Sequence, residues 1–430
     1  MRLVGTAGIL PVMSRHAPAS ARAVTLALAS LGFVSLGLPE GMLGVAWPSI
    51  RASFGLPLDA LGLLLAPFAT GYFVSSAVSG RVLTRLGIGQ ALAVSCGLTG
   101  LSLLGYAVSP AWLSMIALAG VLGLGAGTID AGVNTYAAVA HGARVLNWMH
   151  AAFGLGAAIG PLLMTAIIGS GLAWNFGYAA VGLAQVGLAA AYWRTRRLYA
   201  RPRHHAPAES RAEAVRAESA HGSVRALVRQ PLALLSMGLF FVYVGLEAAS
   251  GQWSFSLFTL ARGTPVAIAG VLVSAYWASL TAGRVLFGVL VSHFSSEQLL
   301  RICMLITVVA AGLIWLNIPL VSWLALAVLG LAYAPVFPVL IADTPARFGA
   351  GQTANAVGLQ VAAAVAGGAT LPGLMGVLAA RISLEVVGPC LVVGGLVELC
   401  LYELLVRRAS AQRRNERCQS SEAVTVPPGA

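Results

Sequence analysis

Charged residues are scarce in this chain and lysine is absent. Only 9% of the 430 residues are charged, whereas soluble globular chains carry about 25%. A soluble helical enzyme would need polar helix faces, and the long apolar runs of this sequence lack them. Because 58% of the residues are hydrophobic, the composition predicts an integral membrane protein.

Several motifs of enzymes and pumps are also missing. No glycine-rich loop ends in Gly-Lys-Ser or Gly-Lys-Thr, so we do not expect ATP-driven transport by this chain. No Ser-His-Asp arrangement is evident, and the spacing of the cysteines fits neither a disulfide framework nor a zinc site: Cys96, Cys303, Cys390, Cys400 and Cys418. We therefore predict no enzyme activity and no metal or other cofactor.

Twelve apolar runs are each long enough to cross a bilayer, which needs about 20 residues per helix. They predict an all-α integral membrane fold with twelve transmembrane helices in two six-helix bundles. The runs cover 24–48, 59–82, 88–108, 111–139, 146–170, 174–194, 231–259, 265–291, 297–316, 320–342, 353–380 and 383–406. The predicted organisation is an N-terminal extension (1–23), a first bundle (24–194), a polar linker (195–230), a second bundle (231–406) and a tail (407–430).

The net charge of +12 comes from arginines that cluster on one side of this topology. With a cytoplasmic N-terminus, only Arg51, Arg262 and Arg381 lie outside. This is the positive-inside pattern, so both termini, the extension, the linker and the tail are predicted to be cytoplasmic. The charge is therefore a topology signal, and we expect no nucleic-acid partner. The predicted location is a bacterial inner membrane, and either Met1 or Met13 is the natural start.

The two halves look related. Three short patterns recur in the second half at a nearly constant offset. Gly-Arg-Val-Leu occurs at 80–83 and 283–286, Gly-Leu-Pro-Glu at 37–40 matches Gly-Leu-Glu at 245–247, and Gly-Pro at 160–161 matches Leu-Pro-Gly at 371–373. They indicate a six-plus-six parallel repeat, which places a substrate site between the bundles near the midplane.

With these features the chain resembles members of the major facilitator superfamily over about residues 24–408. The segment between the second and third helices is similar to the cytoplasmic loop motif of that superfamily: Gly80-Arg81-Val82-Leu83-Thr84-Arg85-Leu86-Gly87. It lacks the Asp that this motif usually contains. The resemblance implies alternating access by rocking of the two bundles, with gating roles for Arg81 and Arg85. Arg284, near a helix end, is expected to close the inner gate by pairing or capping.

Helix 4 carries Asp130 and Asn134 one turn apart on one face. Burial disfavours the charged form of a carboxylate, as a proton carrier near neutral pH requires. The alternative is a structural hydrogen bond from a permanently protonated Asp130. In helix 5, Asn147 precedes His150, which either contacts substrate or bridges helices.

Helices 4 and 5 together resemble the fucose permease-like branch of sugar:proton symporters. There an acid lies four residues before an Asn in helix 4, and Leu-Asn opens helix 5 with a Gln three residues on, where His150 stands here. The branch also has a helix-1 acid four residues before a proline, at the position of Gly44 here, while Glu40 lies one turn earlier.

Helix 7 reads Tyr243-x-Gly245-x-Glu247-x-x-x-Gly251-Gln252-Trp253, which is similar to sugar-transporter relatives of the same branch. Glu247 is a candidate proton-coupling residue. Gln252 is a candidate for binding hydroxyl groups, and Trp253 either stacks on a sugar or packs in the outer gate.

Three further residues are candidates for the cavity. Glu40 follows Pro39, which kinks a helix, and it either couples protons or satisfies backbone groups freed there. Tyr276 and Gln360 are candidate substrate contacts.

The sequence thus predicts a secondary transporter that acts as a monomer and takes up a sugar or similar small polar solute together with protons. The alternatives are proton-driven efflux of drugs or metabolites and a membrane sensor that does not transport.

Overall fold

The computed structural model describes residues 19–140, 143–199, 227–290, 295–349 and 351–424, which are helical and contain no β-strand. Helices dominate because a chain in lipid must satisfy its own backbone hydrogen bonds. Most of the predicted N-terminal extension and of the predicted linker lie outside these residues.

The first half consists of long helices joined by short connections. They are α1 (Ala19–Phe54), α2 (Leu61–Leu86), α3 (Ile88–Val108), α4 (Trp112–Ala140), α5 (Ala143–Gly169) and α6 (Asn175–Thr195). Helix α1 packs along α5, α2 along α4, and α3 against α4 and α6. Further contacts of α1 with α4 and α6 join all six helices in one bundle.

The second half repeats this arrangement with more interruptions. Its helices are α7 (Pro231–Ser256), α8 (Val266–Leu290), α9 (Ser296–Trp315), α10 (Pro319–Tyr333), α11 (Val336–Ala342), α12 (Thr344–Phe348), α13 (Thr353–Arg381) and α14 (Val387–Val424). Helix α7 packs along α13, α8 along α10, and α9 against α10 and α14. The run predicted at 320–342 is divided between α10 and α11 because Pro335 lies where the helix is interrupted.

Eleven segments of the described chain are long and apolar enough to cross a membrane. They correspond to the predicted runs except for α6, which has 21 residues but is not among these segments. Large apolar side chains such as Leu101, Leu113 and Leu324 are exposed on the outer surface of the bundles. An apolar outer surface suits contact with lipid, so the protein is a multi-pass membrane protein.

Glycines allow close contact between α1 and α5. A Cβ on Gly37 would collide with the backbone of Phe153 and Ala157, and one on Gly156 would collide with the backbone of Val34. Lipid offers no hydrophobic drive for helix association, so small residues that bring backbones together are a principal source of packing energy. This contact fixes the rotation of α1, the helix that carries Glu40.

Candidate functional site: polar groups between the two bundles

The two bundles touch closely near the helix ends that the positive-inside pattern places outside. A Cβ on Gly44 of α1 would lie 2.7 Å from the Gly251 carbonyl oxygen of α7. A Cβ on Gly62 of α2 would lie 3.2 Å from the Gly373 Cα of α13. The Ser274 hydroxyl of α8 donates a 2.7 Å hydrogen bond to the carbonyl of α5 residue Ala158. These contacts close the predicted outer side.

The first bundle contributes a hydrogen-bonded group centred on Asp130 of α4. Asn134 Nδ2 donates to Asp130 Oδ1 at 3.1 Å, as the one-turn spacing predicted. The Tyr72 side chain of α2 also interacts with the Asp130 carboxyl group. Asp130, Asn134 and Tyr72 are all partly exposed although they lie within membrane-spanning helices. These polar side chains are therefore not sealed within the core of the first bundle.

Glu40 is exposed even though it lies well inside α1. Its backbone carbonyl accepts a 3.4 Å hydrogen bond from Gln252 Nε2 of α7, so this stretch of α1 faces the other bundle. The side chain interacts electrostatically with Glu247 and Arg284 of the second bundle. It also acts on Tyr72. Glu40 thus stands between the Asp130 group and the charges of the second bundle.

The second bundle contributes an ion pair between α7 and α8. Arg284 Nη2 lies 3.5 Å from Glu247 Oε1, and the two side chains are 25% and 14% exposed. The Tyr243 hydroxyl donates to Glu247 Oε2. The Tyr276 hydroxyl donates to the Glu247 backbone carbonyl at 2.7 Å. Since Tyr243 and Tyr276 are fully buried, they fix Glu247 from the core side while its carboxylate remains partly accessible.

Arg284 is the cation that links these groups. Its charge acts on Glu247 and Glu40. It also acts on His150 of α5, an exposed residue whose ring lies 5.1 Å from the ring of Phe33. The guanidinium group of Arg284 is therefore paired with Glu247 of its own bundle and is also within range of the charge on Glu40 of the first bundle.

Other predicted contacts lie in the protein interior. Trp253 is fully buried, and its Nε1 donates to the Pro372 carbonyl at 2.9 Å. Gln360 is 1% exposed and bonds Ser236 at 2.7 Å and Thr344 at 3.1 Å. In these positions both side chains hold helices together.

The remaining predicted residues lie toward the other end of the first bundle. Arg81 and Arg85 are exposed in the last two turns of α2, which runs on to Leu86 and leaves only Gly87 before α3. Gly87 has a φ of 80°, which favours glycine. Asn147 lies in α5, but its side chain is outside the described residues.

Sequence reasoning missed Tyr72 and gave Tyr243 no role of its own. Tyr243 stands one turn before Glu247, so the i,i+4 rule was a usable signal. Tyr72 touches Asp130 from a different helix, and nothing in the sequence indicates which face of α2 meets α4.

Comparison with known proteins agrees with this architecture. Residues 29–372 match the Major Facilitator Superfamily, and the chain belongs to that superfamily. It is a secondary transporter of small solutes, in a superfamily whose members are not enzymes.

Named relatives and solved structures carry similar folds. The chain is 22% identical over 347 residues to Sodium-dependent glucose transporter 1A of Mus musculus, covering 71% of this chain and 78% of that protein. It is similar to a crystal structure of a mutant nucleoside transporter NupG, with a TM-score of 0.75, 13% identity, and coverage of 89% of this chain and 99% of that one. It is also similar to a D-xylose-proton symporter, with a TM-score of 0.71, 17% identity, and coverage of 88% and 97%.

Proposed function

We propose that the protein is a proton-coupled symporter that takes up a sugar or similar polar solute across a bacterial inner membrane, working as a monomer. The observation that carries the proposal is the arrangement of carboxylates from both bundles around Arg284. Carboxylates within a membrane domain are costly, and they usually serve ion or substrate pathways.

Protonation would change the attraction between the bundles. When Glu40 is ionised, it competes with Glu247 for Arg284 across the interface. When Glu40 is protonated, Arg284 pairs with Glu247 alone, and both members of that pair belong to the second bundle. The force between the bundles thus depends on whether a proton is bound, which is what coupling a gradient to alternating access requires.

The Asp130 group supplies the hydroxyl-matching side of the site. Asp130, Asn134 and Tyr72 offer an acceptor, an amide and a phenol, which together can bind vicinal hydroxyl groups. The similarity to a D-xylose-proton symporter and to a glucose transporter supports a sugar as the solute. The aromatic surface for such a solute is not Trp253, because that ring is packed against α13.

Reconstitution into proteoliposomes tests the proposal. Radiolabelled D-glucose, D-xylose and L-fucose are supplied under an imposed proton or sodium gradient, and counterflow is measured without a gradient. We expect counterflow of at least one sugar and accumulation driven by protons. In Glu40→Gln, counterflow should persist while proton-driven accumulation is lost. The control is Glu297→Gln, because Glu297 is a half-exposed carboxylate at the start of α9.

Three results would contradict the proposal. Full proton-driven accumulation by Glu40→Gln would remove that residue from coupling. Accumulation driven by a sodium gradient alone would identify sodium, rather than the proton, as the coupling ion. If no sugar moves but apolar cations are extruded against a proton gradient, the protein is an exporter.

A further inference from the structure

Glu398 is a buried carboxyl group that the transport cycle described above does not use. It lies on α14 and is 0% exposed. Neither of its oxygens has a hydrogen-bond partner among the described residues. An ionised carboxylate left in this state would carry a large desolvation penalty, so the group must be neutralised by something bound to it.

The surroundings of Glu398 contain other unpaired oxygens. Tyr333 of α10 is fully buried. Its hydroxyl makes no hydrogen bond of normal geometry with any described residue. This phenol interacts electrostatically with Glu398. Thr307 of α9 is 0% exposed with an unpaired hydroxyl, and it faces Gly395, which lies one turn before Glu398. Unsatisfied polar atoms from three helices are thus buried in this part of the second bundle.

In the part of the chain that the structure describes, the charge that acts on Glu398 is anionic. The titratable groups that act on or respond to Glu398 are Glu247 and Tyr243 of α7, Tyr333 of α10 and Cys303 of α9. All of them are neutral or negative when they titrate, and Arg284 is already paired with Glu247. When Glu398 is protonated it needs no countercharge. If it lost its proton while Glu247 was ionised, two carboxylates would share the single guanidinium group of Arg284.

Helix α14 packs against α7 beside Glu247: the side chain of Leu246 lies where a Cβ on Gly394, one turn before Glu398, would sit. The Tyr243 hydroxyl lies 3.1 Å from the backbone carbonyl oxygen of Tyr333 and donates its single proton either to this oxygen or to Glu247 Oε2. Glu398 and Glu247 thus lie on packed helices and interact through charge.

We propose that Glu398 is a second proton-binding site, inside the second bundle, which holds its proton while Glu247 is ionised and releases it when Glu247 is neutralised. The step is balanced: one proton leaves the carboxyl group of Glu398 as one proton is gained at Glu247, and the charge of the bundle is unchanged. The site would thus store a proton behind the Glu247–Arg284 pair. This inference extends the proposed proton coupling.

Infrared spectroscopy of the purified full-length protein in lipid tests the site without any transported solute. A protonated carboxyl group absorbs apart from a carboxylate. We expect a protonated-carboxyl band that disappears as pH rises, that Glu398→Gln lacks, and that Glu403→Gln keeps. Glu403 is the matched control, since it lies on the same helix but is partly exposed and 2.5 Å from Arg301.

A second variant tests the link between the two groups and does not depend on the folding of Glu398→Gln. In Glu247→Gln, the Glu398 band should disappear at a more acidic pH, because a neighbouring negative charge has been removed. An unchanged transition would overturn the link.

Two outcomes overturn the site itself. A band that persists at every pH at which the protein is folded means a permanently protonated structural group. Loss of the band on addition of sodium chloride, but not of choline chloride, means that sodium competes for the position. Failure of proton-driven sugar accumulation would instead refute the proposed function and leave this result standing.

Discussion

The contact between Gly44 and Gly251 gives a direct test of alternating access. Replacing Gly44 with Ala adds a methyl group 2.7 Å from the Gly251 carbonyl oxygen and 2.9 Å from the Gln252 Cα and carbonyl oxygen. All three atoms are backbone, so no side-chain rotation can relieve the overlap, and α1 and α7 must separate. The strain exists only while the predicted outer side is closed.

The size of the effect follows from the cost of overpacking. An added methyl group that a packed interface cannot absorb typically costs about 1–3 kcal/mol. Because about 1.4 kcal/mol changes an equilibrium constant tenfold, the ratio of outside-open to outside-closed protein should rise about 5- to 150-fold.

Cysteine labelling measures this ratio. Thr165 of α5 is buried against Gly270 of α8 in the outer contact, so a Thr165→Cys reporter in a cysteine-free background is protected when that side is closed. Gly44→Ala should speed its reaction with a membrane-impermeant maleimide by the factor above. Gly97→Ala is the matched control, because a Cβ on this helical glycine meets no atom within 4 Å. Equal labelling rates in the two alanine variants would refute the reasoning.

Three further predictions concern stability in detergent, measured by thermal unfolding. Glu247→Gln and Arg284→Gln should each lower the free energy of unfolding by about 1–3 kcal/mol, less than for a fully buried pair because both side chains are partly exposed. The double variant should lower it by less than the sum of the two single effects, and strict additivity would contradict the pairing. Trp253→Phe removes a 2.9 Å hydrogen bond and should cost about 1–3 kcal/mol without changing the half-saturating sugar concentration; a large change in that concentration would place the ring in the binding site. Arg262→Gln breaks a bidentate pair with Glu385 that joins outer loops of the second bundle and should cost about 1–3 kcal/mol with counterflow intact, so an unchanged unfolding midpoint would count against it.

The fold was predictable because membrane insertion is governed by length and hydropathy. The apolar run at 88–108 has the same limits as α3. The fates of the prolines were not predictable in this way. Pro39 and Pro48 lie inside α1, whereas Pro335 separates α10 from α11. A membrane helix tolerates proline when its neighbours satisfy the freed backbone groups, and those neighbours are known only from the packing.

The candidate site was predictable only within single helices. Asp130 and Asn134 share one helix, so their spacing alone indicated the hydrogen bond that the structure contains. The pairing of Glu247 with Arg284 depends on the depth and rotation of two helices relative to each other. Hydropathy fixes depth to no better than a turn or so, so the sequence could not name Glu247 as the partner of Arg284.

The repeat explains why this difference matters. Gly80-Arg81 in α2 and Gly283-Arg284 in α8 occupy equivalent places in the two halves, as do Glu40 in α1 and Glu247 in α7. Both carboxylates remain near the interface, but Arg81 is exposed toward the end of its helix while Arg284 pairs with Glu247. One of two equivalent arginines thus serves carboxylates from both bundles. Because the cation belongs to the second bundle alone, protonation of Glu40 weakens an attraction between bundles, whereas protonation of Glu247 weakens one within a bundle and frees Arg284 for Glu40. The two carboxylates should therefore have opposite effects on the contact between the bundles, although the repeat makes them equivalent.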